Sequence, residues 1–292
     1  MSGGLAVRGN LLCVTWSAAR GHVFLFDVEA RQRMSTWTLP AGANGFSDAA
    51  GVAMDEHFHL YVADPVNDRV AHFSAFGRHL RDLGQPAPAV GDAARDRPGV
   101  LDRPHAVACR GDVLYVACGE RPRRRGVQCF ARSGEALRPL AAGGLAEQAF
   151  GAPRGLLAEP DGLLVADTLH GRIQRFRGDG TFVCNLPCPG GEGRARPVAL
   201  VRVRGGALLV VDRGDEPGVQ ALVADGAQPV DLEPLRGACR DVLALAVDAK
   251  DRLYVLDLGG ERVQRFARDL RPDGFVVDLT EHLPDYEPAP PT

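Results

Sequence analysis

Short apolar blocks, each closed by a polar residue and a tight loop, recur along the whole chain. Leu60-Tyr61-Val62-Ala63 ends on Asp64, and Arg69-Val70-Ala71-His72-Phe73 follows a few residues later. The phrase returns as Leu164-Val165-Ala166-Asp167 with Arg172-Ile173-Gln174-Arg175-Phe176. A third copy pairs Leu253-Tyr254-Val255-Leu256-Asp257 with Arg262-Val263-Gln264-Arg265-Phe266, and weaker copies fill the gaps. The closing residues Phe26, Phe73, Phe130, Phe176, Leu222 and Phe266 stand 47, 57, 46, 46 and 44 residues apart. A period of that size, built from short strands, predicts a propeller or solenoid. No stretch sustains the i, i+3, i+4, i+7 spacing of a helical repeat, so the units are β.

Each unit carries four predicted strands. In the second they are 51–55, 59–63, 69–73 and 79–83, with turn residues such as Pro65-Val66-Asn67-Asp68 between them. Strands of about five residues joined by short turns are the proportions of an antiparallel meander. Six units fit, at about 5–40, 48–84, 101–141, 150–188, 196–233 and 240–281; the first is the most degraded, with Trp16 where the second has Asp64. A lone four-stranded unit cannot bury both faces, whereas six in a ring shield one another. The expected fold is therefore all-β: a six-bladed β-propeller of four-stranded antiparallel blades, one domain over 1–281. Gln85 to Val100 reads as an insertion, and Arg121 to Arg125 as an enlarged loop in the third unit. The Pro-rich stretch 282–292 reads as a tail, because proline cannot supply a helix or a central strand.

The phrases Tyr61-Val62-Ala63-Asp64-x-x-Asn67-x-Arg69-Val70 and Pro153-x-Gly155 resemble NHL repeats over nearly the whole chain, about 5–281. The likeness is strong in units two, four and six and weak in one and five. It implies a six-bladed propeller and says much less about function.

Composition narrows the classes. Among 292 residues 45% are hydrophobic, enough for a large core, yet no apolar run is long enough to span a bilayer, so no membrane partner is expected. The start of the chain lacks the basic stretch and apolar run of a secretory signal, so a cytoplasmic location is expected. Seven cysteines, an odd number without a C-x-x-C pair, read as core residues. The net charge of −3 and a cation content that is almost all arginine, with Lys250 the only lysine, do not indicate a globally basic nucleic-acid binder.

The repeated Asp64, Asp167, Asp212 and Asp257, and the repeated Arg69, Arg172 and Arg262, read as scaffold. A carboxylate ending one strand pairs with a guanidinium opening the next, and a catalytic centre needs one copy, not several. Function is expected where repeats differ. In NHL-like propellers the chain leading into each innermost strand lines one mouth of the channel. Alignment on Pro-x-Gly puts Gly3, Ala50, His105, Arg154, Val198 and Leu243 there, and His105 and Arg154 are the only polar members. A histidine and an arginine on adjacent blades suit anion binding or action on a carbonyl. Between Arg95 and Arg125 eight arginines face four acids, so Arg95, Arg97, Arg103, Arg121, Arg123, Arg124 and Arg125 join His105, Arg154 and His170 as candidate binding residues.

Several chemistries find no support. The amidating lyases, which are similar to NHL propellers, hold zinc with histidines from several blades; here only His105 and His170 are placed near the mouth, too few for such a site. There is no Gly-x-Ser-x-Gly and no phosphate-binding glycine loop, and neither cofactor nor metal is expected. The leading reading is a non-catalytic scaffold that binds a protein or an anionic ligand through an arginine-rich face on blades 3 and 4. The alternatives are a channel-mouth lyase or lactone hydrolase using His105 and Arg154, and a single-stranded RNA binder. The basic loops lack the aromatic residues on which RNA bases would stack.

Overall fold

The computed structural model describes residues 2–18, 20–42, 45–86, 97–119, 126–140, 148–188, 193–223 and 229–282. Consecutive strands wind outward from an axis into six antiparallel sheets. Blade 1 holds β1 (Gly3–Arg8), β2 (Leu11–Ala18), β3 (Arg20–Asp27) and β4 (Gln32–Thr38). Blade 2 holds β5 (Val52–Met54), β6 (Leu60–Asp64), β7 (Arg69–Phe73) and β8 (His79–Leu83). The two ends of the insertion then meet as a short parallel pair, β9 (Gln85–Pro86) and β10 (Val100–Leu101). Blade 3 holds β11 (Pro104–Arg110), β12 (Val113–Cys118), β13 (Gly126–Ala131) and β14 (Ala136–Leu140). Blade 4 holds β15 (Pro153–Glu159), β16 (Gly162–Asp167), β17 (Arg172–Arg177) and β18 (Phe182–Pro187). Blade 5 shows β19 (Pro197–Arg202), β20 (Leu208–Asp212) and β21 (Gly218–Leu222) among the described residues, followed by the short helix α1 (Glu233–Ala238). Blade 6 closes the series with β22 (Val242–Val247), β23 (Leu253–Asp257), β24 (Arg262–Phe266) and β25 (Pro272–Asp278). The fold is a six-bladed β-propeller.

Burial explains the sequence pattern. Every residue of β6, β16, β20 and β23 is buried, because neighbouring blades cover both faces of the second strand. Such strands read as unbroken apolar blocks. The outer strand β18 alternates half-buried and exposed residues, as expected with one face open to water.

Six apolar clusters fill the six junctions between blades. The innermost strands touch in the cycle β1, β5, β11, β15, β19, β22 and back to β1. Among the described residues, the four strands of blade 1 lie within residues 3–38 and those of blade 6 within 242–278, with no strand shared between them. Trp16, Phe24 and Phe26 of blade 1 pack with Tyr254, Leu256 and Phe275 of blade 6 to make that closing junction. At the end of the described chain the His282 ring lies 5.2 Å from Phe26; the tail 283–292 lies outside the described residues. Among the described residues no helix is long and apolar enough to cross a membrane.

Candidate functional site at the axial mouth

The repeated aspartates fasten each inner strand to its own blade. Asp167 is fully buried; its carboxylate accepts from the Gly151 and Ala152 N–H groups, from Arg172 Nε at 3.1 Å and from Gln174 at 3.1 Å. Asp64 accepts from the Asp48 N–H at 3.1 Å and from Arg69 Nε at 3.0 Å. Asp257 accepts from the Arg240 and Asp241 N–H groups, with Arg262 Nε at 3.6 Å. The residue before each arginine (Asp68, Gly171 or Glu261) takes a left-handed conformation that turns the loop back on the carboxylate. Blade 5 keeps the carboxylate and loses the arginine: Asp212 accepts from the Arg196 N–H at 2.6 Å, and Gly218 stands in the arginine's register position. These groups are consumed by the fold.

Beside them, each inner strand of blades 3 to 6 carries a register shift of one residue against its second strand. The shifts fall between Pro104 and Ala106, Pro153 and Gly155, Pro197 and Ala199, and Val242 and Ala244. The extra residues are His105, Arg154, Val198 and Leu243. A bulged residue leaves the ladder and its side chain is re-aimed. All four line a cavity of about 110 Å³ on the ring axis. Gly3 and Gly51 complete its wall. A Cβ at Gly51 would lie 2.6 Å from the His105 carbonyl oxygen, and the Gly51 N–H donates to that oxygen at 2.8 Å. Leu5, Val52, Val107, Leu156, Leu200 and Leu245, one from each inner strand, line the same cavity. The wall thus combines two polar side chains with aliphatic ones.

The sequence-derived candidates separate in three dimensions. His105 and Arg154 share the axial cavity, and five of the six expected mouth positions line it. Ala50 is buried instead, its carbonyl accepting the Thr15 hydroxyl, and Gly51 takes its place. His170 does not reach the axis: its Nδ1 lies 2.8 Å from Asp167 Oδ2, which draws it into the buried carboxylate cluster. Arg103 is exposed immediately before β11, and its N–H donates to Asp68 Oδ1 at 2.7 Å. Arg97 is exposed beside β10. Arg95, Arg121, Arg123, Arg124 and Arg125 lie outside the described residues.

The bulges were the signal that sequence reading lacked. Pro104, Pro153 and Pro197 each precede a bulged residue, and the missing N–H of proline suits a break in the ladder. That recurrence was the available clue.

A second polar cluster sits on the outer side of blade 2. The buried His72 ring stacks on Tyr61 at 4.4 Å, and its Nε2 lies 3.1 Å from His59 Nδ1. Tyr61 donates to Asp55 Oδ2 at 3.2 Å. Burial, aided by the charge of Arg81, lowers the His72 pKa to about 4, so the ring is neutral. Asp248 and Tyr254 repeat the carboxylate–phenol pair in blade 6 at 3.1 Å, where Arg265 stands opposite Tyr254 in the place of His72. All seven cysteines are free thiols, and burial pushes Cys109, Cys118, Cys129, Cys188 and Cys239 up to about 12, which keeps them protonated and unreactive. Among the described residues no three histidine, cysteine or carboxylate side chains gather as metal ligands would.

No protein-family model and no curated protein matches the chain. Solved structures do. A propeller from the nidogen/laminin complex superposes with a TM-score of 0.62 at 17% identity, covering 91% of this chain and 92% of that one. A gluconolactonase from Xanthomonas campestris gives 0.58 at 18%, covering 87% and 82%. Virginiamycin B lyase from Staphylococcus aureus gives 0.56 at 12%, covering 92% and 82%. Likeness at such identities establishes architecture alone. The chain is a six-bladed β-propeller, the fold that these structures share with it.

Proposed function

We propose that the protein is an NHL-like, cytoplasmic, non-catalytic module that holds a protein or anionic ligand at the channel mouth on the side of blades 3 and 4. One observation carries the reading. The strand-ending carboxylates Asp64, Asp167, Asp212 and Asp257 are buried and hydrogen-bonded to backbone N–H groups, and among the described residues His105 and Arg154 are the polar side chains on the cavity wall. A guanidinium and an imidazole on a partly apolar wall suit recognition of negative groups better than general acid–base turnover. The membership of one structural neighbour in a protein complex is consistent with a partner-binding role.

The test is turnover. Purified protein is assayed against a lactone panel, beside a His105→Ala/Arg154→Ala variant. The reading expects no rate above the double variant. It also expects retention of an acidic partner protein that the same variant and raised salt both release. A rate lost in the double variant would instead establish the enzyme reading. Retention of single-stranded RNA with no retained protein would establish the nucleic-acid reading.

A further inference from the structure

In five of the six blades the third strand carries a fourth on its outer edge; in blade 5, among the described residues, no strand pairs with the outer edge of β21. The other blades show what belongs there. Three residues before each closing Phe stands Val23, Val70, Val127, Ile173 or Val263, and opposite it in the fourth strand stands Trp37, Leu83, Leu140, Leu186 or Val277. A large apolar side chain closes each of those blades at the same place. These pairs also exchange N–H and C=O. The Leu39 N–H donates to the Gly21 carbonyl and the Leu279 N–H to the Glu261 carbonyl, each at 2.9 Å and two residues along the ladder, and bonded pairs alternate with unbonded ones.

Val219, three residues before Leu222, is the blade 5 counterpart, and no described strand stands opposite it. By the same alternation Val219 and Ala221 turn their N–H and C=O groups towards the open edge. Segment 229–232 and α1 lie there instead. Leu232 and Leu235 share a cluster with Val219, and Arg236 Nη2 donates to the Val219 carbonyl at 3.2 Å, where a strand N–H donates in the other blades. A cleft of about 910 Å³ remains beside β21, with Val219, Ala221, Val223, Val230 and Leu235 on its wall.

The geometry points to a docking site for an extended peptide segment of a partner protein, added to β21 as the fourth strand of blade 5. Edge addition of this kind draws affinity from main-chain hydrogen bonds and selectivity from alternate side chains. The five complete blades set the segment's chemistry: a large aliphatic residue opposite Val219, flanked by polar residues that face water, as the exposed positions of β18 do. Charge complementarity favours an uncharged segment, because Glu216, Asp231 and Glu233 line the cleft together with Arg236 and Arg240. Segment 229–232 and α1 recess the edge, which suits one slender chain better than the blade of a second copy. The cleft shares no lining residue with the axial cavity and stands independent of the reading above.

The experiment is fluorescence-anisotropy titration of the full chain with a dye-labelled Thr-Val-Thr-Leu-Thr-Val-Thr peptide, beside the same peptide with leucine N-methylated and with leucine replaced by serine. Saturable binding of the first is expected, weakened about tenfold or more by either change. Ala221→Pro removes an outward N–H on an edge where proline is tolerated, so it is expected to weaken binding about tenfold with the melting temperature retained. If Ala221→Pro fails to fold, the N-methylated peptide reads the ladder on the unmodified chain. No binding of the leucine peptide, or binding that N-methylation leaves unchanged, would overturn the assignment. Self-association of the chain that Ala221→Pro abolishes would overturn it in favour of a second copy.

Discussion

Lys250 Nζ lies 2.9 Å from Glu29 Oε1, and the two residues are 221 positions apart in the chain. The only lysine of the protein thus ties the last blade to the first. Arg252 reaches the same carboxylate at 2.8 Å and Asp248 at 2.6 Å, while Arg265 donates to the Val28 carbonyl at 3.2 Å. These contacts rim the junction where the ring closes.

Ion pairs do not carry that closure. Glu29 is well exposed, and solvent and salt weaken such pairs. Leu256, by contrast, is fully buried in the closing cluster. Leu256→Ala is expected to cost about 2–5 kcal/mol. Glu29→Gln is expected to shift the urea midpoint only slightly. Urea denaturation of both variants checks the contrast, and a larger loss in Glu29→Gln would reverse the argument.

The Asp167 cluster predicts a larger cost than its single charge suggests. Removing the charge with Asp167→Asn leaves Arg172 and His170 without their anion and weakens the acceptor for two N–H groups. Breaking a buried pair of this kind costs about 3–5 kcal/mol. Asp212→Asn, which has no arginine partner in register, is expected to cost less. Thermal melts of the two variants rank them.

Acid is expected to loosen blade 2. The folded-state pKa of His72 is about 4, below the ordinary 6.5, so the folded protein holds the ring neutral while the unfolded chain takes up a proton. The contribution is complete above pH 6.5 and is lost as pH falls from there towards 4, by about 1–3 kcal/mol. His59, Tyr61, Asp55, His79 and Arg81 surround the ring. His72→Phe keeps the stack on Tyr61 and is expected to flatten stability over that window. A pH series of denaturation midpoints reads the slope directly, and an unchanged slope in His72→Phe would assign it elsewhere.

The inner ring is expected to reject even a methyl group. At Gly51 a Cβ would meet the His105 carbonyl oxygen at 2.6 Å, and at Gly155 the Val198 carbonyl oxygen at 2.7 Å. These contacts are backbone on backbone, so no side-chain rotation relieves them. Gly51→Ala and Gly155→Ala are each expected to destabilise by about 1–3 kcal/mol and to disturb the bulges beside them. Amide exchange of the inner strands measures this.

Much of the architecture was legible because covered strands and repeated loops leave strong traces. Asp64, Asp167 and Asp257 with their arginines announced the frame, and their pairing follows from one strand ending where the next begins. The manner of ring closure was not legible, because nothing in Glu29 or Lys250 alone shows which side chains join blades 1 and 6. His170 misled for a related reason: its place beside the repeated aspartate suits either the mouth or the carboxylate, and a 2.8 Å contact decides for the carboxylate. The axial placement of His105 and Arg154 was read from alignment, but its cause is a backbone irregularity that residue types only hint at.

The account divides the repeats into positions that hold the ring and bulged positions that face its axis. Melting temperature and retention of an acidic partner protein, measured side by side for His105→Ala/Arg154→Ala and for Asp167→Asn, test that division. The double variant is predicted to melt within about 2 °C of the parent and to lose binding, while Asp167→Asn melts well below it and still binds when folded. A double variant that melts as low as Asp167→Asn, or that binds like the parent, would contradict the account.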